Sequence, residues 1–283
     1  MGTIKKEFKT KQNGFVYSLA VLPNGDIVFS VDKTITVMDA NDGAVNLTLK
    51  NPKGSVFDLI AVDNNCIISA SADRTIKIWD LKYELVKETF TGHKSSVSSL
   101  KLMKNGYFAS GSSDKTIKIW NINDGSQVQT LIGHTGDVLS LELLNNEDLA
   151  SGSSDKTIKI WDVESGALKR TLTGHASAVD KLTVLESGDL VSGSGDQTIK
   201  IWNTENGTVK RTLIGHTDDI YGLKELNNGD LVSGSIDCTI KVWDVESGTV
   251  KKDIQVNSRI YYLELLQNGD LVGASDKSII IWE

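Results

Sequence analysis

The sequence predicts an all-β fold: a seven-bladed β-propeller with four antiparallel strands in each blade. The first observation is a 41-residue repeat that begins with Gly-His at Gly92, Gly133, Gly174 and Gly215. The second is a segment of the form "TIKIWD" that occurs seven times, six of them with a Trp. A fixed period near 40 residues is typical of repeat architectures. The key positions of this segment are Met38, Trp79, Trp120, Trp161, Trp202, Trp243 and Trp282.

Each repeat contains four short segments that favour β-strands. In the repeat that begins at Gly133 they are "VLSLELL", "DLASGS", "TIKIWD" and "ALKRTL", which we call strands a, b, c and d. They are rich in Val, Ile, Leu and Thr, and turn sequences such as "NNED", "SSDK" and "ESG" separate them. A helical repeat of similar period is excluded because these residues are poor helix formers and no segment carries a long helical apolar stripe.

Strand c predicts that every sheet is buried on both faces. Alternation along "TIKIW" places Ile158 and Ile160 on one face of the sheet and Trp161 on the other. A four-stranded sheet cannot bury both faces alone, so each sheet needs a neighbour on either side. A closed ring of sheets supplies them and leaves no terminal sheet exposed.

With "GH" and "WD" dipeptides at this spacing, the chain resembles the WD-repeat (WD40-type) family of β-propellers over essentially its whole length. Four repeats carry both features. The resemblance implies that strands a to d run from the ring axis outward, with the Gly-His in the d–a connection and the Trp on strand c. It implies one seven-bladed propeller over residues 1–283.

The two ends of the chain predict how the ring closes. The seventh repeat stops at Trp282 and Glu283, at the end of strand c, whereas the N-terminal "GTIKKEF" matches the strand d sequence "GTVKRTL". Residues 3–8 are therefore expected to pair beside residues 278–282, as the first strand of WD-repeat propellers does. This pairing leaves no sheet without its fourth strand.

All four histidines lie in Gly-His dipeptides and precede a Ser, an Asp and a Trp at fixed offsets. Ser, His and Asp together suggest a hydrolase, but a catalytic triad is needed once and this set occurs four times. The resemblance implies a structural hydrogen-bond chain instead, and buried polar groups of this kind must be paired. The four sets are His93, Ser110, Asp114 and Trp120; His134, Ser151, Asp155 and Trp161; His175, Ser192, Asp196 and Trp202; and His216, Ser233, Asp237 and Trp243.

Three repeats depart from this pattern: the first has Met38 and no Gly-His, and the second and seventh lack the His. We expect apolar packing to hold these blades and this sector to be the softer one. No metal site, catalytic residue or cofactor is expected, because the histidines are committed and Cys66 and Cys238 fall in different blades.

Partner binding is expected at the mouth of the ring, where family topology places the start of strand a. The residue after the first apolar residue of strand a varies around the ring. In blades six, seven, one and two, which are adjacent once the ring closes, this residue is aromatic. These four residues form an arc with an Arg beside it. An acidic Asp lies on the smaller, opposite side. Packing of these rings on one another is the alternative. The candidate residues are Tyr17, Phe57, Tyr221, Tyr261, Arg259 and Asp180.

Three functions follow as hypotheses. The first is a scaffold that binds a protein or linear peptide, and a basic side chain would suit the aromatic and acidic mouth. The second is a sensor or recognition array cut from a larger multidomain receptor, which the similarity of blades three to six and the chain end directly after the last strand would suit. The third is an enzyme on a propeller, for which the sequence offers no unique polar cluster.

Composition narrows the class further. The net charge of −7 argues against binding to nucleic acid or an anionic membrane. No 18-residue apolar run and no apolar leader is found, so neither a transmembrane helix nor a signal peptide is expected. Two unpaired cysteines fit a cytoplasmic or nuclear location, and we expect the isolated domain to be a monomer.

Overall fold

The structure is a computed structural model that describes residues 2–10, 14–51 and 53–283, with the backbone alone at residue 105. Residues 1, 11–13 and 52 of the predicted propeller lie outside the described residues. The described chain forms seven antiparallel sheets of four strands each, as the sequence predicts. We number the sheets as blades 1 to 7 in the order of their innermost strand.

The strands follow the order a, b, c, d in every blade. Strands a are β2 (Val16–Val21), β6 (Val56–Asp63), β10 (Val97–Leu102), β14 (Val138–Leu143), β18 (Val179–Val184), β22 (Ile220–Glu225) and β26 (Ile260–Leu265). Strands b are β3 (Ile27–Val31), β7 (Cys66–Ser71), β11 (Tyr107–Ser112), β15 (Leu149–Ser153), β19 (Leu190–Ser194), β23 (Leu231–Ser235) and β27 (Leu271–Ser275). Strands c are β4 (Thr34–Met38), β8 (Thr75–Asp80), β12 (Thr116–Asn121), β16 (Thr157–Trp161), β20 (Thr198–Trp202), β24 (Thr239–Trp243) and β28 (Ser278–Trp282). Strands d are β5 (Val45–Lys50), β9 (Leu85–Thr91), β13 (Gln127–Ile132), β17 (Leu168–Thr173), β21 (Val209–Ile214), β25 (Val250–Gln255) and, in blade 7, β1 (Ile4–Lys9).

In the part of the chain that the structure describes, helical structure is confined to one short 3-10 turn, Lys104–Gly106, in the a–b connection of blade 3. Among the residues that the structure describes, no helix has the length and apolar character needed to cross a membrane.

The core lies between the blades. Within the described residues, seven apolar clusters are found, and each contains residues of two neighbouring blades. Ile158 and Ile160 pack against blade 5, whereas Trp161 packs against blade 3. The predicted alternation along strand c is therefore confirmed. Full burial of one such side chain contributes about 1.5–3 kcal/mol.

The predicted ring closure is confirmed. Strand β1 pairs antiparallel with β28, and its register places Phe8 opposite Ile279. Phe8 packs on the cluster between blades 7 and 1. Lys5 Nζ lies 2.7 Å from Asp270 Oδ2, and this ion pair repeats those of three other blades. The corresponding pairs are Lys169 with Asp148, Lys210 with Asp189 and Lys251 with Asp230.

A β-bulge follows the first residue of strand a in all seven blades. In blade 5 the register shifts between Val179 and Lys181, so Asp180 is an extra, unpaired residue. A bulge breaks the strict alternation of side chains. In blades 2, 3, 4, 5 and 7, two consecutive residues of strand a line the ring axis as a result.

Candidate functional site

The strands a enclose an axial channel of about 770 Å³. Its residues lie at equivalent strand positions, so they form rings of seven. The mouth ring, at the end where strand a begins, consists of Tyr17, Phe57, Ser98, Leu139, Asp180, Tyr221 and Tyr261. The second ring, one residue further along each strand, consists of Ser18, Asp58, Ser99, Ser140, Lys181, Gly222 and Tyr262.

The structure brings the four predicted aromatic residues to the mouth as two pairs of rings. Tyr17 and Phe57 meet edge to face, with their ring centroids 5.4 Å apart. Tyr221 and Tyr261 form the second pair, at 6.2 Å. Phe15, which the sequence analysis did not single out, contacts Tyr261 at 5.9 Å and is 45% exposed. The aromatic surface therefore has five rings.

Asp180 adjoins this surface beside Tyr221. Its Oδ2 atom is buried and, among the described residues, has no hydrogen-bond partner. Burial, with the nearby Asp219 carboxylate second, raises the pKa of Asp180 to about 7. Burial and these two carboxylates raise the pKa of Tyr221 to about 12, so its hydroxyl stays protonated. The acidic group therefore meets the aromatic surface at blade 6.

Arg259 lies at the outer edge of the same surface and is exposed. Its backbone N–H donates to Asp276 Oδ2 at 3.3 Å. The Tyr261 hydroxyl donates to Asp276 Oδ1 at 3.0 Å, which fixes the orientation of the ring. A hydrogen bond with Tyr261 is the main cause that raises the pKa of Arg259. Asp276 thus anchors both the Arg259 backbone and the Tyr261 ring at the rim.

Three charged or aromatic residues of the second ring were not predicted from the sequence: Asp58, Lys181 and Tyr262. The sequence does distinguish these three residues, because the other four blades have Ser or Gly at this position. Simple alternation along strand a would point these residues away from the mouth ring's side, and only the bulge directs them to the channel. Burial raises the pKa of Asp58 and lowers that of Lys181.

The four His-Ser-Asp-Trp sets form hydrogen-bond chains of nearly identical geometry. In blade 4, Trp161 Nε1 donates to Ser151 Oγ at 2.8 Å. His134 Nε2 lies 2.7 Å from the same oxygen, and Nδ1 lies 2.8 Å from Asp155 Oδ2. A carboxylate only accepts, so Nδ1 donates to it and Nε2 of the neutral ring accepts from the Ser hydroxyl. The other three sets repeat these contacts.

These chains resemble a catalytic triad in their distances but not in their accessibility. Ser110, Ser151, Ser192 and Ser233 are all fully buried, so no substrate can reach their hydroxyls. Burial lowers the pKa of all four histidines, which favours the neutral ring. The arrangement joins strands b and c to the Gly-His loop and leaves its polar atoms paired.

Blades 2 and 7 retain only parts of the chain. In blade 2, Trp79 Nε1 still donates to Ser69 Oγ at 2.8 Å. In blade 7 that Ser is replaced by Gly273, and Trp282 Nε1 is buried with no partner among the described residues. A Cβ atom on Gly273 would lie 2.8 Å from Trp282 Cζ3. The Trp282 ring therefore occupies the space that the Ser side chain fills in other blades.

Replacing Ser151 by Ala tests the energetic value of one chain. The change leaves the Trp161 N–H without its acceptor and His134 without its donor. Because both groups are buried, we expect the free energy of unfolding to fall by about 1–3 kcal/mol. Urea denaturation measures the change, and Ser165→Ala, at an exposed turn of the same blade, is the matched control. Equal stability of the two variants would contradict a structural role for the chain.

Metal binding finds no support in residues 2–10, 14–51 and 53–283. No group of three or more His, Cys, Asp and Glu side chains is arranged there to hold an ion. Cys66 and Cys238 are free thiols, one buried and one half-buried.

The family comparison agrees with this architecture. The model of the family described as WD domain, G-beta repeat matches residues 43–80, 85–121, 125–162, 166–203 and 207–244. Each matched unit begins at or just before a strand d and ends at the following strand c, so the sequence repeat is offset by one strand from the blade. The two units outside the matches, β1–β4 and β25–β28, both lack Gly-His, as does the matched unit 43–80. The comparison with curated proteins gives no match.

Members of this family are typically non-enzymatic scaffolds and generally bind proteins or peptides. The five matches together cover more than half of the sequence, and the fold has the seven blades that the repeats predict. The chain therefore belongs to the WD40 repeat family of β-propellers.

Proposed function

We propose that this protein is a platform that binds a protein or linear peptide at the channel mouth, and that the bound segment places a Lys or Arg side chain there. The observation that carries the proposal is the buried Asp180 carboxylate oxygen without a partner, next to Tyr221 and Tyr261. A cationic side chain would supply the missing partner for this oxygen and pack against the aromatic faces.

The aromatic surface suits such a contact for a second reason. Phe15 and Tyr17 are 45% and 37% exposed, so a large apolar area faces water in the unbound protein. Exposed aromatic groups with an Arg at the rim are the residue types that dominate protein–protein binding energies. The family's general role in protein interaction supports the same conclusion.

The test is capture of peptides by the double variant Tyr221→Ala, Tyr261→Ala. Immobilised protein is exposed to a library of linear peptides, half of which contain Lys or Arg and half of which have these residues replaced by Gln. We expect the wild type to retain basic peptides selectively and the double variant to lose them. A loss of about 2 kcal/mol at each of two central aromatic residues would together lower affinity by about a thousandfold.

The matched control is Tyr83→Ala. Tyr83 is 65% exposed but lies on the turn between strands c and d of blade 2, away from the mouth ring. This variant should retain peptides as the wild type does, and circular dichroism should give the same fold for all three proteins. Unchanged capture by the double variant, or retention of the Gln peptides, would reject the site.

A further inference from the structure

Lys181 is a partly buried lysine that lines the channel. Among the described residues its Nζ atom makes no hydrogen bond and no ion pair; it lies 3.9 Å from the centroid of the Tyr262 ring, across the channel. A charge-assisted hydrogen bond to an anion is among the strongest contacts that an ammonium group makes. The amine of Lys181 lies against an aromatic ring and has no anion in contact with it among the described residues.

The carboxylates nearest to this amine are engaged elsewhere. Asp58 Oδ1 accepts hydrogen bonds from the Ser18 hydroxyl and from the Leu59 N–H, at 2.8 and 2.9 Å. Its Oδ2 accepts the N–H of Leu100 at 2.7 Å. Asp58 thus ties blade 2 to blades 1 and 3, and its attraction to Lys181 acts only at a distance.

The two glutamates of the channel are engaged as well. Glu142 pairs with Lys101, and Glu264 pairs with Lys224. Both attract Lys181 without contacting it. The channel therefore provides cation–anion pairs on either side of Lys181 and none for Lys181 itself.

Two serine hydroxyls adjoin Lys181 in the second ring. Ser99, Ser140 and Lys181 hold the same position in blades 3, 4 and 5, and all three line the channel. Ser140 Oγ accepts the N–H of Leu182 at 3.0 Å, which leaves its own hydrogen available to donate. Within the described part of the chain, the Ser99 hydroxyl makes no hydrogen bond. Three neighbouring blades therefore place two hydroxyl groups and one lysine at the same level of the channel wall.

We propose that Ser99, Ser140 and Lys181 form a subsite for a carboxylate group inside the channel, one residue layer below the mouth. A carboxylate offers two oxygens, which accept one charge-assisted bond from the ammonium group and further bonds from the hydroxyls. It would also supply the counter-ion that Lys181 lacks. The carboxylate belongs either to a small free acid or to an acidic side chain of the segment bound at the mouth, and only the second case rests on the proposed function.

The experiment measures protection of Lys181 in the wild-type protein. Reductive methylation with formaldehyde and a mild hydride donor is followed for each lysine by mass spectrometry, in chloride and in acetate at equal ionic strength. At an acetate concentration of twice its dissociation constant, the methylation rate of Lys181 should fall about threefold. Lys82 is the internal control, because its amine also lies over a Tyr ring, at 5.2 Å, but on the exposed surface.

A second arm replaces acetate by the blocked tripeptide Lys-Gly-Glu and its Gln counterpart. Protection by acetate identifies a small acid as sufficient, and protection by the Glu peptide alone identifies an acidic side chain of a bound segment. The double variant Ser99→Ala, Ser140→Ala should lose most of the protection in either case. Equal rates for Lys181 in chloride, acetate and both peptides would overturn the subsite, and so would a Lys181 that formaldehyde does not reach. Methylation is measured without a partner bound at the mouth, so failure of this experiment can be distinguished from failure of the proposed function.

Discussion

Deletion of residues 2–9 should produce the largest loss of stability of any change outside the blade interfaces. The deletion removes β1, which is the whole fourth strand of blade 7. It leaves the outer backbone of β28 unpaired and uncovers Phe8's packing site between blades 7 and 1. Loss of a complete strand exceeds the largest single-residue effects, so we expect the free energy of unfolding to fall by more than about 4 kcal/mol.

Such a loss corresponds to a melting temperature lower by roughly 8–16 °C or more in a chain of this size. Differential scanning calorimetry measures it directly. The sharper control adds the missing strand back as a peptide of residues 2–10. It should restore most of the lost stability, because it carries Ile4 and Phe8 in register and Lys5 for the ion pair with Asp270. The same peptide with Phe8→Asp should restore little. An unchanged melting temperature after deletion would contradict closure by β1.

Ring closure was predictable because the sequence repeat and the blade are offset by one strand. "GTIKKEF" matches strand d of other repeats, and the last repeat has no strand d of its own. Lys5 takes the position of Lys169, Lys210 and Lys251, and the structure gives it the equivalent Asp partner. A strand of this kind can be recognised from the sequence alone, because every repeat forms the same local contacts.

The interior of the channel was not predictable in the same way. Alternation along strand a fixes the direction of its buried residues, but the bulge after the first residue turns the next side chain to the axis. Asp58 and Lys181 were therefore not predicted to face the channel, although four other blades have Ser or Gly at this position of the second ring. The missing partner of Trp282 was equally hidden, because the effect of Gly273 depends on how closely the ring approaches it.

Acidification should destabilise the protein in two steps, and the histidine chains determine the first. Burial lowers the pKa of all four histidines below the ordinary 6.5, so the unfolded chain binds protons at a pH where the folded chain does not. Stability is then complete above about pH 6.5 and is lost as the pH falls below it. Each histidine contributes at most about 1.4 kcal/mol per pH unit, and the four together at most about 5.5.

The second step belongs to the aspartates of the same chains. Although burial alone would raise them, hydrogen bonds from Thr side chains, backbone N–H groups and the histidines hold the pKa of Asp114 and Asp196 at about 2 and lower those of Asp155 and Asp237. Their ionised forms stabilise the fold above the ordinary pKa near 4. This contribution disappears as the pH falls from about 4 to about 2.

Asp180 acts in the opposite direction. Its pKa of about 7 exceeds the ordinary value, so the folded chain takes up a proton before the unfolded chain does, and stability rises as the pH falls from about 7 to about 4. One carboxyl with a raised pKa offsets at most one histidine. Asp180→Asn removes this contribution and should make the decline below pH 6.5 steeper.

The decisive measurement is the free energy of unfolding in urea at pH 7.5, 6.5, 5.5 and 4.5 for the wild type and His134→Gln. The variant is less stable at pH 7.5, because Gln cannot reproduce both contacts of the ring. Between pH 6.5 and 4.5, however, it should lose stability more slowly than the wild type, since one of the four titrating histidines is gone and the groups that do not contact His134 cancel in the comparison. The four histidines are the only ones in the sequence, so no other imidazole contributes to this window. Parallel pH profiles for the two proteins would mean that His134 takes up its proton at the same pH in the folded and unfolded states, and would contradict the lowered pKa.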